Sequence, residues 1–145
     1  MLAVIDVNIV FSALVTKGNS LKVFKSNKEF PTFEFMAPDF LFFELGKRID
    51  KLLVQSKLAK EEISNSFSLI KSAMTLVPAA EFLDRLPEAL ALNEKDAQYL
   101  ALALKLGCPI ISGDKGLKEQ ARVKVLSPAE ALEMVCGSGL LGLEP

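Results

Sequence analysis

Residues 93–116 read NEKDAQYLALALKLGCPIISGDKG, and the fold follows from how this stretch is parsed. Asn93 is a favoured helix cap and Gly107 a favoured helix stop, so the apolar run between them predicts a helix over 94–106. Ile110-Ile111-Ser112 then reads as a short buried strand, and Gly113-Asp114-Lys115-Gly116 as a turn into a brief helix. The same alternation extends in both directions. Toward the N-terminus, Leu2-Ala3-Val4-Ile5 is a buried strand, followed by a helix from Asn8. A break at Lys17-Gly18-Asn19-Ser20 precedes a second helical piece over 21–25. Residues 33–37 predict the second strand. Pro38 and Asp39 open a helix running to about 54, another helix covers 60–73, and 75–77 form the third strand. Short helical pieces are expected at 80–83 and 87–91. The fifth strand covers 123–126, and Ser127-Pro128 cap a last helix from 129 to about 135. This order argues a three-layer α/β/α sandwich around a mostly parallel five-stranded sheet. One domain over 1–136 is expected, with a flexible tail at 137–145.

Composition narrows the chemistry. With 145 residues, half of them apolar and 24% charged, the chain can bury a proper core. No apolar stretch reaches the roughly 18–20 residues needed to cross a bilayer. Two cysteines, Cys108 and Cys136, fit a reduced, cytoplasmic setting. The chain has no histidine, which removes Ser-His-Asp and Cys-His catalysis and every His-containing zinc site. Carboxylates remain, and all-oxygen ligation suits Mg²⁺ or Mn²⁺. A net charge of −1 means that nucleic-acid binding must rest on local patches and metal.

Four acids sit where packing alone explains them poorly. Asp6 and Asp114 each follow an apolar strand, Glu44 interrupts Phe40-Leu41-Phe42-Phe43, and Asp96 opens an apolar helix. Each has an ordinary alternative. Asp6 fits a helix cap, Glu44 an ion pair with Arg48 four residues on, Asp96 a capping box with Asn93, and Asp114 a plain turn acid. Against the ion pair, the Phe and Leu residues around Glu44 read as a helix that is apolar nearly all round. Asp96 shares a stripe with Leu100 and Ala103, which points it inward. Ligands of open α/β sheets bind at the carboxyl ends of strands, where Asp6 and Asp114 lie. If the first and fourth strands are neighbours, the two carboxylates meet, and Glu44 and Asp96 are within reach. Gly137-Ser138-Gly139-Leu140-Leu141-Gly142 spells a dinucleotide fingerprint but follows a helix, so it is rejected. The dense Phe30–Phe43 stretch suggests a partner surface as well as core. Lysines 17, 22, 25 and 28 read as a solvated face or as phosphate contacts beside the first acid.

Val4-Ile5-Asp6-Val7-Asn8, Glu44 within Phe40–Leu45, Asp96–Ala103, Cys108–Asp114 and Val125–Glu130 together resemble the PIN-domain family of metal-dependent nucleases, which includes toxins of toxin–antitoxin pairs. The resemblance covers nearly the whole chain. It implies strand order 3-2-1-4-5, and Asp6, Glu44, Asp96 and Asp114 gathered around one or two Mg²⁺ or Mn²⁺ ions. It also implies that Asn8 and Ser112 support those acids or orient the substrate. An antitoxin protein and a homodimer are implied as partners. Many relatives carry a further acid where this chain has Lys115-Gly116-Leu117, a departure that bears on the second ion.

The expected activity is hydrolysis of RNA phosphodiesters by metal-activated water, leaving 5′-phosphate and 3′-hydroxyl ends. Lys115, Lys118 and Arg122 are expected to hold flanking phosphates. The alternatives are a catalytically weak module that binds RNA or a protein, and an aspartyl phosphatase. For the latter, Asp6 is suitably placed, but Asn8 stands where a second acid is required.

Overall fold

A computed structural model describes residues 1–55 and 60–143. Five strands form one sheet: β1 (Leu2–Ile5), β2 (Glu34–Pro38), β3 (Met74–Val77), β4 (Ile110–Ile111) and β5 (Val125–Leu126). Their spatial order is β3-β2-β1-β4-β5, and every pairing is parallel. Both the class and the order agree with expectation.

Parallel neighbours need crossovers, and helices supply them. Helices α1 (Val7–Val15) and α2 (Gly18–Glu29) link β1 to β2; α3 (Leu41–Gln55) and α4 (Lys60–Ser72) stand between β2 and β3. The connection from β3 to β4 runs the opposite way across the sheet. It carries two 3-10 turns (Ala79–Glu81, Leu83–Arg85), α5 (Leu86–Leu92) and α6 (Ala97–Leu106). Right-handed crossovers in opposite directions place these two groups of helices on opposite faces. Contacts agree: α1 packs on α2, α3 and α4, whereas α5 packs on α6 and α6 on β1, β2 and β4. The last helix, α7 (Pro128–Leu143), packs on α2. Ala3, Val4 and Ile5 of the central strand are fully buried, as are Leu100, Ala101 and Leu102 of α6. Among the described residues no helix is long and apolar enough to cross a membrane.

Several boundaries move for local reasons. Pro38 ends β2 instead of opening α3, because the ladder opposite Val77 continues with the Asp39 N–H donating to the Val77 carbonyl. The helix after Asn93 starts three residues late. Asn93 Oδ1 accepts the Asp96 N–H at 3.1 Å and holds 93–96 as a turn, and Asp96 takes the N-cap. Gly107, with φ of 64°, is the left-handed stop that the sequence predicts. Helix α2 runs on to Glu29, where Asn27 holds the exit. Its Oδ1 accepts the N–H groups of Thr32 and Phe33, and its Nδ2 donates to the Phe33 carbonyl. Ser127 and Glu130 make a reciprocal capping box at the start of α7. That helix passes the expected end near 135 and continues to Leu143. A glycine weakens a helix by only about 1 kcal/mol, and Leu140 and Leu141 follow the Gly137–Gly139 interruption.

Candidate active site

The register of the two central strands builds the site. Val4 pairs with Ile110 and Ile5 with Ile111, so the next pair up is Asp6 beside Ser112. Asp6 is fully buried and caps α1, with Oδ1 accepting the Asn8 N–H at 3.3 Å. Its Oδ2 accepts a 2.7 Å bond from the Ser112 hydroxyl, and that hydroxyl oxygen accepts the Asp114 N–H at 3.0 Å. One buried serine therefore spans the two strand-end acids. Replacing Ser112 by Ala strips a buried carboxylate of its donor. The expected cost is about 2–3 kcal/mol, read as a fall of several degrees in Tm.

Asp114 is half-buried in a tight turn, with Oδ1 accepting the Gly116 N–H at 2.8 Å. A Cβ at position 116 would come within 3.2 Å of that oxygen, so the turn suits glycine. The Gly116 amide, aided by the Lys95 ammonium 3.4 Å from Oδ2, holds the Asp114 carboxyl below its ordinary range.

Asp96 behaves differently. It is 6% exposed at the head of α6, its Oδ2 is buried without a hydrogen-bond partner, and it makes no capping bond. Burial, then the charges of Asp6 and Asp114, push its pKa up to about 6. The folded chain thus holds the Asp96 proton more tightly than the unfolded chain, and ionising Asp96 opposes folding. The penalty is absent below about pH 4, grows up to about pH 6 and is complete above that. In metal-free buffer, Asp96→Asn is expected to stabilise the protein by on the order of 2–3 kcal/mol at pH 8 and by little at pH 4. Urea unfolding at the two pH values in EDTA checks the sign.

Glu44 is the acid whose surroundings the sequence misstates. Helix α3 is amphipathic, not apolar all round: Phe43, Glu44, Lys47 and Arg48 are exposed on one side, over buried Leu41, Leu45 and Ile49. Among the described residues no ion pair joins Glu44 to Arg48. Arg48 instead donates to Asn8 Oδ1 at 2.6 Å, and Glu44 Oε2 accepts from the Tyr99 hydroxyl at 3.4 Å. Burial and the nearby Glu44 charge keep that phenol protonated.

Two open clefts flank Lys95. One, of about 320 Å³, is lined by Asn8, Ser12, Ser20, Gly113 and Asp114; the other, of about 220 Å³, by Phe40, Glu44, Leu86, Leu90, Gln98 and Tyr99. Lys95 and Tyr99 are thus contributors that the sequence did not single out, and Arg48 one that it offered only as an ion-pair partner of Glu44. Their signals were thin: adjacency to Asp96, the lone tyrosine, and a position four residues past Glu44.

The expected phosphate contacts fare unevenly. Lys115 is exposed in the Asp114 turn. Lys118 is ion-paired with Glu130 at 2.8 Å, a bond that leads in drawing the Glu130 pKa down to about 2. Arg122 pairs with Glu88 and lines a cleft with Cys108, Pro109 and Lys124, at the far end of the sheet from Asp114. Lysines 17, 22, 25 and 28 are exposed, with Lys17 paired to Glu62.

The donor set suits a hard dication: carboxylate oxygens, a buried unpartnered Asp96 Oδ2 and a proton held by burial and like-charge crowding. Among the described residues no three acids converge closely enough to hold an ion as they stand. Three of the four are engaged by other groups: Asp6 by Ser112, Asp114 by Gly116 and Lys95, Glu44 by Tyr99.

A family model described as PIN domain matches residues 4–126. The fold also matches a chain in the crystal structure of VapBC2 from Rickettsia felis, bound to a DNA fragment from their promoter. The TM-score is 0.63 at 12% identity, over 88% of this chain and 98% of that one. No curated protein matches.

Proposed function

This chain belongs to the PIN-domain family, and on that premise we propose that it is a Mg²⁺- or Mn²⁺-dependent endoribonuclease. The observation that carries the reading is Asp96, a buried acid with an unpartnered oxygen, crowded by Asp6 and Asp114. Asp6, Glu44, Asp96 and Asp114 are the residues that would hold one or two ions. A bound dication supplies an activated water and neutralises charge developing at phosphorus.

The chain's own groups do the positioning. Ser112 holds Asp6 in one orientation by bonding to it directly, and ties the Asp114 backbone to the same point. Arg48 occupies Asn8 Oδ1, which leaves the Asn8 amide nitrogen as the donor for a phosphate oxygen. Lys95, ion-paired with Asp114 and largely exposed, and Lys115, exposed in the next position, supply positive charge for the flanking backbone. The toxin role in a toxin–antitoxin pair, with an antitoxin and a second copy of the chain as partners, is proposed from the family resemblance.

The test is incubation of end-labelled single-stranded RNA with Mg²⁺ or Mn²⁺, with and without EDTA. Metal-dependent cleavage leaving 5′-phosphate ends is expected. RNA binding without cleavage in either metal contradicts it and favours a catalytically weak binding module.

A further inference from the structure

Of the phenylalanines in the dense stretch noted above, Phe33 and Phe35 go into the core, whereas Phe43 stays 69% exposed. Phe40, Phe43, Glu44 and Lys47 lie at i, i+3, i+4 and i+7 of one helical stripe, and the Lys47 ammonium sits 4.5 Å from the Phe43 ring centre. Phe40 and Glu44 of this stripe line the smaller cleft. Its walls are the half-buried Phe40 ring, backed by the buried Tyr99 ring 5.8 Å away and tilted by 57°, with Leu86 and with Leu90, itself 46% exposed. Its rim is Glu44, Lys95 and the exposed carboxamide of Gln98.

We infer that this cleft, formed by α3, α5 and the start of α6, holds one unpaired nucleobase of the substrate next to the scissile phosphate. The inference rests on the nuclease reading above and specifies how the substrate is held: with one unstacked base seated beside the cut. Three features favour a base over an apolar protein side chain. The Phe40 ring and the two leucines offer apolar contact, the Gln98 amide offers a donor and an acceptor to a base edge, and Lys95 on the rim also lines the cleft beside Asp114, with which it is ion-paired. A base stacked there would aim its own phosphate toward Lys95. A duplex, whose bases stay stacked, could not fill it.

The test is an abasic scan: single-stranded oligoribonucleotides in which one ribose at a time lacks its base, cleaved in Mn²⁺ by the parent protein, Leu90→Gln and Gln98→Ala. Both substituted side chains are exposed, so the core is untouched. The expected result is one position at which base removal lowers the parent's kcat/KM by about ten- to a hundredfold. The loss should be smaller in Leu90→Gln, because that variant has already given up part of the contact. Gln98→Ala should flatten the preference among the four bases at that same position. Uniform tolerance of base removal by an active parent overturns the base assignment while leaving the nuclease reading standing, and it is the result expected if a protein segment fills the cleft. A parent that cleaves neither RNA nor bis(p-nitrophenyl) phosphate in Mn²⁺ overturns both.

Discussion

Asp6→Asn is expected to reduce RNA cleavage about a thousandfold or more, corresponding to roughly 4 kcal/mol of lost transition-state stabilisation. Asparagine keeps an oxygen for the Asn8 N–H and loses the charge that helps to hold a dication. The fold should survive. Asp6 is fully buried beside Asp96 and Asp114, so the amide relieves repulsion while giving up the acceptor that Ser112 now uses. The metal-free Tm is therefore expected to stay within a few degrees of the parent's. A variant that keeps Mg²⁺-dependent cleavage at near-parent rate would remove Asp6 from the site. A variant that loses activity only because it unfolds would show it in the circular dichroism.

Mg²⁺ or Mn²⁺ is expected to stabilise the folded chain by about 2.7 kcal/mol at a hundredfold excess over Kd, a rise in Tm of several degrees that EDTA reverses. The physical source is the relief of crowding among carboxylates. Its pH dependence carries a sign: the ion competes with the proton on Asp96, so the shift should be large at pH 8 and shrink as pH falls below about 6. Asp6→Asn and Asp114→Asn should each lose most of the shift. A metal-induced rise equal at pH 5 and pH 8, and equal in both variants, would place the binding elsewhere.

The strand ends were legible in the sequence because a short apolar run that stops at an acid says both where the strand ends and where a charge must find a partner. Leu2–Ile5 before Asp6, and Ile110-Ile111 before Asp114, are such runs, and the observed register sets them side by side. Asp96 was legible through its stripe with Leu100 and Ala103. Glu44 was singled out, but its surroundings were misread: four apolar residues in a row hide an amphipathic helix until the stripe is followed through Lys47 and Arg48. Contacts between elements distant in the chain, Tyr99 to Glu44 and Arg48 to Asn8, leave no mark in local spacing. Arg122 shows the converse error. It lies eight residues after Asp114, yet a parallel strand must begin at the sheet's other end, so the chain between β4 and β5 carries it away from the acids.

Anomalous diffraction from crystals soaked in Mn²⁺ addresses the shared ion directly. A manganese peak is expected within about 2–2.5 Å of carboxylate oxygens from Asp6, Asp96 and Asp114, with the Asp96 oxygen that now lacks a partner among them. Crystals that bind manganese only at other surfaces, or show no peak between these side chains at pH 8, would contradict it.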